Sequence, residues 1–367
     1  MADLKIVRHI KEGAERWNAW REKAQPEEIE IDLQKADLSG LKMSGINLNQ
    51  ANLSKANFSR ADLSNANLTG ANLSGAVFHN ANLKGADLRG AILAQANISQ
   101  ANVQDVNLAG TDLRSLELRG INFGSANLSG VDLRGVNLSG ESFQKINLNG
   151  ANLSGAYLQN TDFSGANLSN ANLSNAKLVR AKLRGALLTR ANLCGASLDF
   201  ADISMSGCLM ANFSEAILNK AILNKANLGG TIFSGAQLVG AELCDAFLGD
   251  AFLSMTNLTK ANISHADLSR TSLYRAILTQ ATCIETKFYH AELNEVDLSM
   301  AILKQANFAV ADLRNSYLGG ADLSGASLMG TNLRNANFAN ANLTGVIVES
   351  TIWEGANLQV VFGFSLY

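Results

Sequence analysis

Proline occurs once in the chain, at Pro26. A proline deletes a backbone donor, so nothing after Pro26 interrupts a long backbone ladder. The four cysteines, Cys194, Cys208, Cys244 and Cys283, show no CxxC or paired spacing, which excludes a disulfide framework read from sequence. The four histidines, His9, His79, His265 and His290, stand apart from one another and from the cysteines. Metal-ligand spacing is therefore absent, and no metal or cofactor is expected. There is no nucleophile elbow, phosphate loop or dinucleotide fingerprint. No apolar run approaches a membrane span, and the first residues lack the basic-then-apolar pattern of a signal peptide. Cytoplasmic residence is the simplest expectation. The formal charge is −2, which predicts neither a nucleic-acid binder nor a strongly acidic surface, and in the N-terminal segment acids balance the bases, so no membrane partner is expected.

What the chain does have is a period. From Ile31 to Val360 it divides into consecutive five-residue repeats without an insertion. Position 3 is always apolar or Cys, chiefly Leu and Phe, and position 1 is mostly Ala. Position 2 is mostly Asn or Asp, position 4 often Ser or Arg, and position 5 often Gly or Asn. In Ala51-Asn52-Leu53 two apolar residues flank a polar one, the alternation of a strand, and Ser54 and Lys55 form the bend. Glycines such as Gly70 and Gly75 suit a turn residue with positive φ. Each repeat is thus a very short strand plus a corner, and four corners of about 90° close a coil of about 20 residues. A helix is disfavoured, because every fifth residue steps about 140° around it and scatters the leucines. The expected architecture is all-β, a solenoid of about 16 coils that rise about 4.8 Å each, or roughly 80 Å in all. Its axis is filled by position 3, with Ala at position 1 leaving room.

Repeats such as Ala66-Asn67-Leu68-Thr69-Gly70 and Ala86-Asp87-Leu88-Arg89-Gly90 resemble the A(D/N)LXX signature of the pentapeptide repeat family over residues 31 to 360. The resemblance implies a right-handed quadrilateral β-helix; the handedness comes from the family and not from the period. Ile10-Lys11-Glu12-Gly13 and Trp17-Asn18-Ala19-Trp20-Arg21 are similar to the helical lead of bacterial, especially cyanobacterial, members. Leu4, Val7, Ile10, Ala14 and Trp17 fall on one helical face, suited to cover the open first coil. The expected organisation is a helical cap at 1–30, the solenoid at 31–360 and an apolar tail at 361–367. That tail, including Phe362, Phe364, Leu366 and Tyr367, either caps the last coil of a monomer or joins an end-to-end homodimer, as in some relatives.

Some relatives inhibit or protect DNA gyrase by imitating duplex DNA, which needs a dense rank of carboxylates. Residues 31 to 360 carry 25 acids and 24 bases, and bases interrupt the acids locally. Lys177, Arg180, Lys182, Arg184 and Arg190 form the strongest basic cluster, read as a solvated face with no aromatic interleaved for base stacking. Nucleic acid is therefore not an expected partner. Asp and Glu at position 2 are read as a solvated outer rank. Two departures from the repeat remain. Between 106 and 146 position 1 becomes bulky, at Val106, Leu116, Ile121, Val131, Val136 and Ile146, which predicts a bulge or twist. Glu141 occupies an inward position there; either the coil opens and Glu141 reaches water, the favoured reading, or a buried acid marks a site. Further on, apolar residues appear at outward position 2. Ile232 and Phe252 should stack on one face with Tyr274 one coil on, and Phe247 on the neighbouring side, a candidate partner surface. The sequence thus points to a non-catalytic protein–protein interaction scaffold, with regulation as one use. The alternative is a DNA-mimic inhibitor or protector of a type II topoisomerase.

Overall fold

The computed structural model describes residues 4–23 and 30–364. Pro26, Leu366 and Tyr367 lie outside the described residues. Two helices come first, α1 (Leu4–Lys11) and α2 (Ala14–Lys23). They are not the single helical face expected: Gly13 at φ 107° separates the two helices, with its N–H bonded to the Ile10 carbonyl. Ile6, Ile10 and Trp17 are buried, and His9 stacks on Trp20 with ring centroids 5.4 Å apart.

The helix α2 covers the start of the ladder through hydrogen bonds that imitate a neighbouring strand. The Asn18 amide donates to the Gly45 carbonyl (2.9 Å) and accepts from the Asn47 N–H (2.8 Å). Trp17 Nε1 donates to the Asn47 carbonyl at 2.7 Å, and Arg21 donates to the carbonyl and side chain of Asn49. An edge that would otherwise recruit another chain is thereby satisfied.

The chain forms two compact units, Met1–Tyr157 with Ala166–Asn172, which includes both helices, and Leu158–Gly165 with Leu173–Tyr367. Within each, position 2 of a repeat forms a parallel bridge to position 2 twenty residues on, as in Asp32–Asn52 and Ile232–Phe252. Four columns of such bridges define four faces: the first contains 31–35, the second 36–40, the third 41–45 and the fourth 46–50, each recurring every coil. The N–H of position 3 donates to the coil ahead (Leu33 to Asn52) and that of position 2 to the coil behind (Asn52 to Ile31). Each corner closes when the position 1 N–H donates to the preceding position 3 carbonyl, as from Ala36 to Leu33 at 3.0 Å.

Position 5 is left-handed at nearly every corner, whether or not it is Gly: Lys55, Phe200 and even the β-branched Val310 have φ near 59°. Outside Gly this costs about 1–2 kcal/mol per residue. It is offset because the corner directs the position 5 N–H to the next coil, as from Lys55 to the Ser74 carbonyl. Position 2 is also more than a solvated rank. Its Asn or Asp Oδ1 accepts the position 4 N–H, an Asx turn, as Asn72 does from Ser74 at 3.1 Å. Its Asn amide donates one coil back, as Asn147 does to Asn127 at 3.0 Å. The preference for Asn over other polar residues follows from these two bonds. Inside, position 3 side chains are buried and phenylalanines stack in register, Phe213 on Phe233 at 4.9 Å and Phe288 on Phe308 at 4.8 Å. Threonines at position 1 satisfy their hydroxyls on inward carbonyls, as Thr231 does on Leu228 at 2.6 Å.

The first unit departs from this pattern where position 1 is bulky. The fourth face keeps its bridges from Asp87 to Asn107, Asn127 and Asn147. On the first face the bridge between Ile92 and Asp112 is missing. The second lacks those joining Asn97, Glu117 and Asn137, and the third those joining Asn102, Asn122 and Ser142. The N–H groups of Leu93, Ile98 and Val103 make no backbone bond to the next coil among the described residues. Leu116 and Ile121 occupy the axis on the two faces that open most, where Ala stands elsewhere. Phe123 and Phe143 are correspondingly 5.8 Å apart and tilted by 23°. Ser115 and Ser125, whose corners lack a left-handed position 5, bridge the gap with side chains: Ser115 Oγ accepts the Gln95 N–H at 3.0 Å, and Ser125 donates to Asp105. Glu141 is half-buried in this section.

Candidate interaction surfaces

The described residues hold no group of three His, Cys, Asp or Glu able to bind a metal ion. No described helix is long and apolar enough to cross a membrane. Burial pushes the Cys208 thiol up to about 12 and the Cys283 thiol upward as well, so neither supplies a thiolate. The axis itself is packed with side chains. The remaining chemistry lies on the outside.

In the second unit Ile232 and Phe252 stack on the first face, 37% and 52% exposed. Tyr274 lies on the same face one coil on, half-buried, with the Arg275 guanidinium 4.9 Å from its ring centre. Met255, at the corner beside Phe252, is exposed. Phe247 occupies the adjoining fourth face and lies flat on two buried glycines. A Cβ at Gly249 would sit 2.7 Å from its Cζ, and one at Gly229 would sit 2.9 Å from its Cε1. These glycines are there for the ring, since neither has a positive φ. Leu187, Leu209 and Met210 extend the apolar surface on the same side, and Asp250 paired to Arg270 at 2.7 Å limits it. Sequence reading missed Leu187, Leu209 and Met210; a twenty-residue stride from Phe247 and Gly229 is the signal that finds Leu187 and Leu209, and Met210 is the corner residue next to Leu209.

The basic cluster is arranged differently from its sequence order. Arg190 lies at the corner after the fourth face, diagonally opposite Arg180, which lies after the second. The corner that holds Arg180 continues into Phe200 and Lys220, one and two coils on. Arg180 Cζ and Lys220 Nζ are each 5.6 Å from the Phe200 ring centre. The expectation that no aromatic interleaves with these bases is thus overturned: Phe200 is twenty residues from either cation and adjacent in space. Elsewhere Asp87, Asp112, Asp132 and Asp312 are each paired to the arginine two positions on, Asp87 to Arg89 and Asp312 to Arg314 both at 2.7 Å. The Arg89 guanidinium hydrogen-bonds Asp87 and holds its carboxyl below the ordinary range.

Square coils of four five-residue sides, stacked through parallel bridges, define a β-solenoid of the quadrilateral class. The profile described as Pentapeptide repeats matches in successive stretches from residue 31 to 345, and the chain belongs to that family. The family fold is the right-handed quadrilateral β-helix, here led by a helical cap, and its members are generally non-catalytic interaction scaffolds. Similar solved structures include HetL, a pentapeptide repeat protein involved in heterocyst differentiation regulation from the cyanobacterium Nostoc sp. strain PCC 7120. It is 28% identical over 72% of this chain and 91% of that one, with a TM-score of 0.21. Full-length QnrB1, a plasmid-mediated fluoroquinolone resistance protein, is 21% identical over 63% and 92%, with a TM-score of 0.22. Rfr23 from the cyanobacterium Cyanothece 51142 is 37% identical over 29% and 63%, with a TM-score of 0.11. A comparison with curated proteins finds no match.

Proposed function

We propose that this chain is a non-catalytic protein–protein interaction scaffold. Its partner covers the apolar edge formed by Ile232, Phe252 and Tyr274 with Phe247. The observation that carries this reading is the seat of Phe247. An aromatic ring fixed on Gly229 and Gly249 yet 44% exposed loses little freedom on binding and offers a rigid apolar anchor. The prism gains nothing from Phe at position 2, where Asn supplies two ladder-supporting hydrogen bonds. The alternative, a DNA-mimic acting on a type II topoisomerase, is less well supported, because 24 bases stand among the 25 acids of residues 31 to 360 and arginines pair directly with Asp87, Asp112, Asp132 and Asp312.

Replacing Phe247 and Phe252 by Asn tests the reading. The double variant is expected to keep the β-rich circular dichroism spectrum and to lose at least about tenfold in affinity for a protein that the wild-type chain retains. Undiminished retention would remove this surface from consideration.

A further inference from the structure

The corner between the second and third faces has a chemistry unlike that of the apolar edge. Arg180, Phe200 and Lys220 are position 5 residues of successive coils, held left-handed at φ of 58°, 59° and 56°. Their backbones are locked into the ladder: the Arg180 N–H donates to Asp199 and the Phe200 N–H to Asn219. The backbones that carry the two cations are therefore two coils, about 9.6 Å, apart, and a half-exposed aromatic ring on the coil between them lies near both charges. Lys177 lies beside this column on the second face, and Lys182 and Arg184 on the third. Ile217 and Ile222, 38% and 40% exposed, flank Lys220 on either side, and Lys225 follows. Of these bases Lys182 is paired to Asp162 at 3.8 Å, and Arg184 contacts Ser204 and Met205. Lys177, Arg180, Lys220 and Lys225 form no ion pair among the described residues.

We propose that this basic corner docks an acidic polypeptide segment in which carboxylates alternate with apolar side chains. The carboxylates meet Arg180, Lys220 and Lys177, and the apolar groups cover Phe200, Ile217 and Ile222. Two observations select a polypeptide over a nucleic acid. The Arg180 and Lys220 cations each lie 5.6 Å from the Phe200 ring centre, so a base that stacked there would have to compete with a cation for the ring. Asp199 and Asp202 stand within the patch, where an unbroken line of phosphates would meet them, whereas a polypeptide can place neutral residues there. Charge that is exposed and unpaired steers association and fixes register, and the isoleucines supply the desolvated contact area. The corner lies diagonally across the coil from the apolar edge, so both surfaces can be occupied at once. This proposal does not depend on the partner assigned to that edge.

The test uses the full chain and a labelled synthetic peptide of alternating Glu and Leu, with fluorescence anisotropy at low salt. Arg180→Glu with Lys220→Glu is expected to weaken binding at least about tenfold. Phe200→Ser is expected to weaken it less, and rising salt should weaken wild-type binding. Arg190→Glu, at the opposite corner, and the Phe247/Phe252 double variant should bind the peptide as wild type does. Loss of peptide binding in the Phe247/Phe252 variant would place the peptide on the apolar edge and overturn the proposal. Equal binding by wild type and the Arg180/Lys220 variant would overturn it as well. So would tighter binding of a single-stranded oligonucleotide or of anionic phospholipid vesicles that the same charge reversal abolishes.

Discussion

In the second compact unit Ala fills most position 1 sites, the bridges recur at each coil and stacked phenylalanines sit 4.8–4.9 Å apart. In residues 91–145 of the first unit the five-residue frame is equally unbroken, yet three of four faces lose bridges and Phe123 stands 5.8 Å from Phe143. The difference traces to side chains one carbon layer from the backbone. A β-branched or leucine side chain at position 1 takes up axis volume that position 3 needs, and close-packed interiors relieve such excess by backbone movement. The fourth face holds through its asparagine ladder, Asn127 to Asn107 at 3.1 Å and Asn147 to Asn127 at 3.0 Å, so the opening is one-sided. Ion pairs border the gap on the first face: Arg114 binds Asp112 and reaches Asp132 at 3.3 Å, across the bridge next to the missing one. The repeat frame thus tolerates an open section without losing register.

Amide hydrogen exchange gives the largest separation between the two regions. The N–H groups of Leu93, Ile98, Val103, Leu118 and Phe123 are expected to be protected at least about a hundredfold less than those of Leu193, Leu198, Ile203 and Leu218. Equal protection would mean that the section is closed in solution.

A smaller effect should follow from moving the cause. Ala216→Leu places on the second face of the second unit the residue that Leu116 carries in the first. It is expected to destabilise the chain by about 1–3 kcal/mol in urea denaturation, and to speed exchange at Leu218. An unchanged midpoint would show that position 1 volume is not what opens the ladder.

The smallest effect concerns pH. Hydrogen bonds from Arg114 and Arg134 hold the Asp112 and Asp132 carboxyls, respectively, below their ordinary value. A group with a depressed folded pKa stabilises above its unfolded value, near 3.8, and loses that contribution as pH falls through the folded value. Asp112 is exposed and Asp132 partly so, and solvent screens both pairs, so the loss is slight. Acidification from pH 5 toward about pH 3 should lower protection in the open section more than in the second unit, and added salt should shrink the difference. A uniform loss across both units would remove the ion pairs as local supports.

The sequence alone determined the architecture, because a five-residue period with an apolar third position allows only one way to bury every leucine: short strands around a common axis. It also located the open section, since bulky residues at position 1 are visible in one dimension. It did not reveal why position 2 is Asn or Asp, because the Asx turn and the amide ladder are contacts across two and twenty residues. Nor could it foresee that Val310 takes a left-handed corner, which its own preference opposes and the ladder imposes. Only the tertiary structure decided which residues share a surface. Coil stacking makes neighbours of Arg180, Phe200 and Lys220, and of Gly229, Phe247 and Gly249. It moves Arg190 to the opposite corner from bases that adjoin it in sequence. Period fixes which side of the backbone a residue faces, but only the winding of the chain sets what stands beside it.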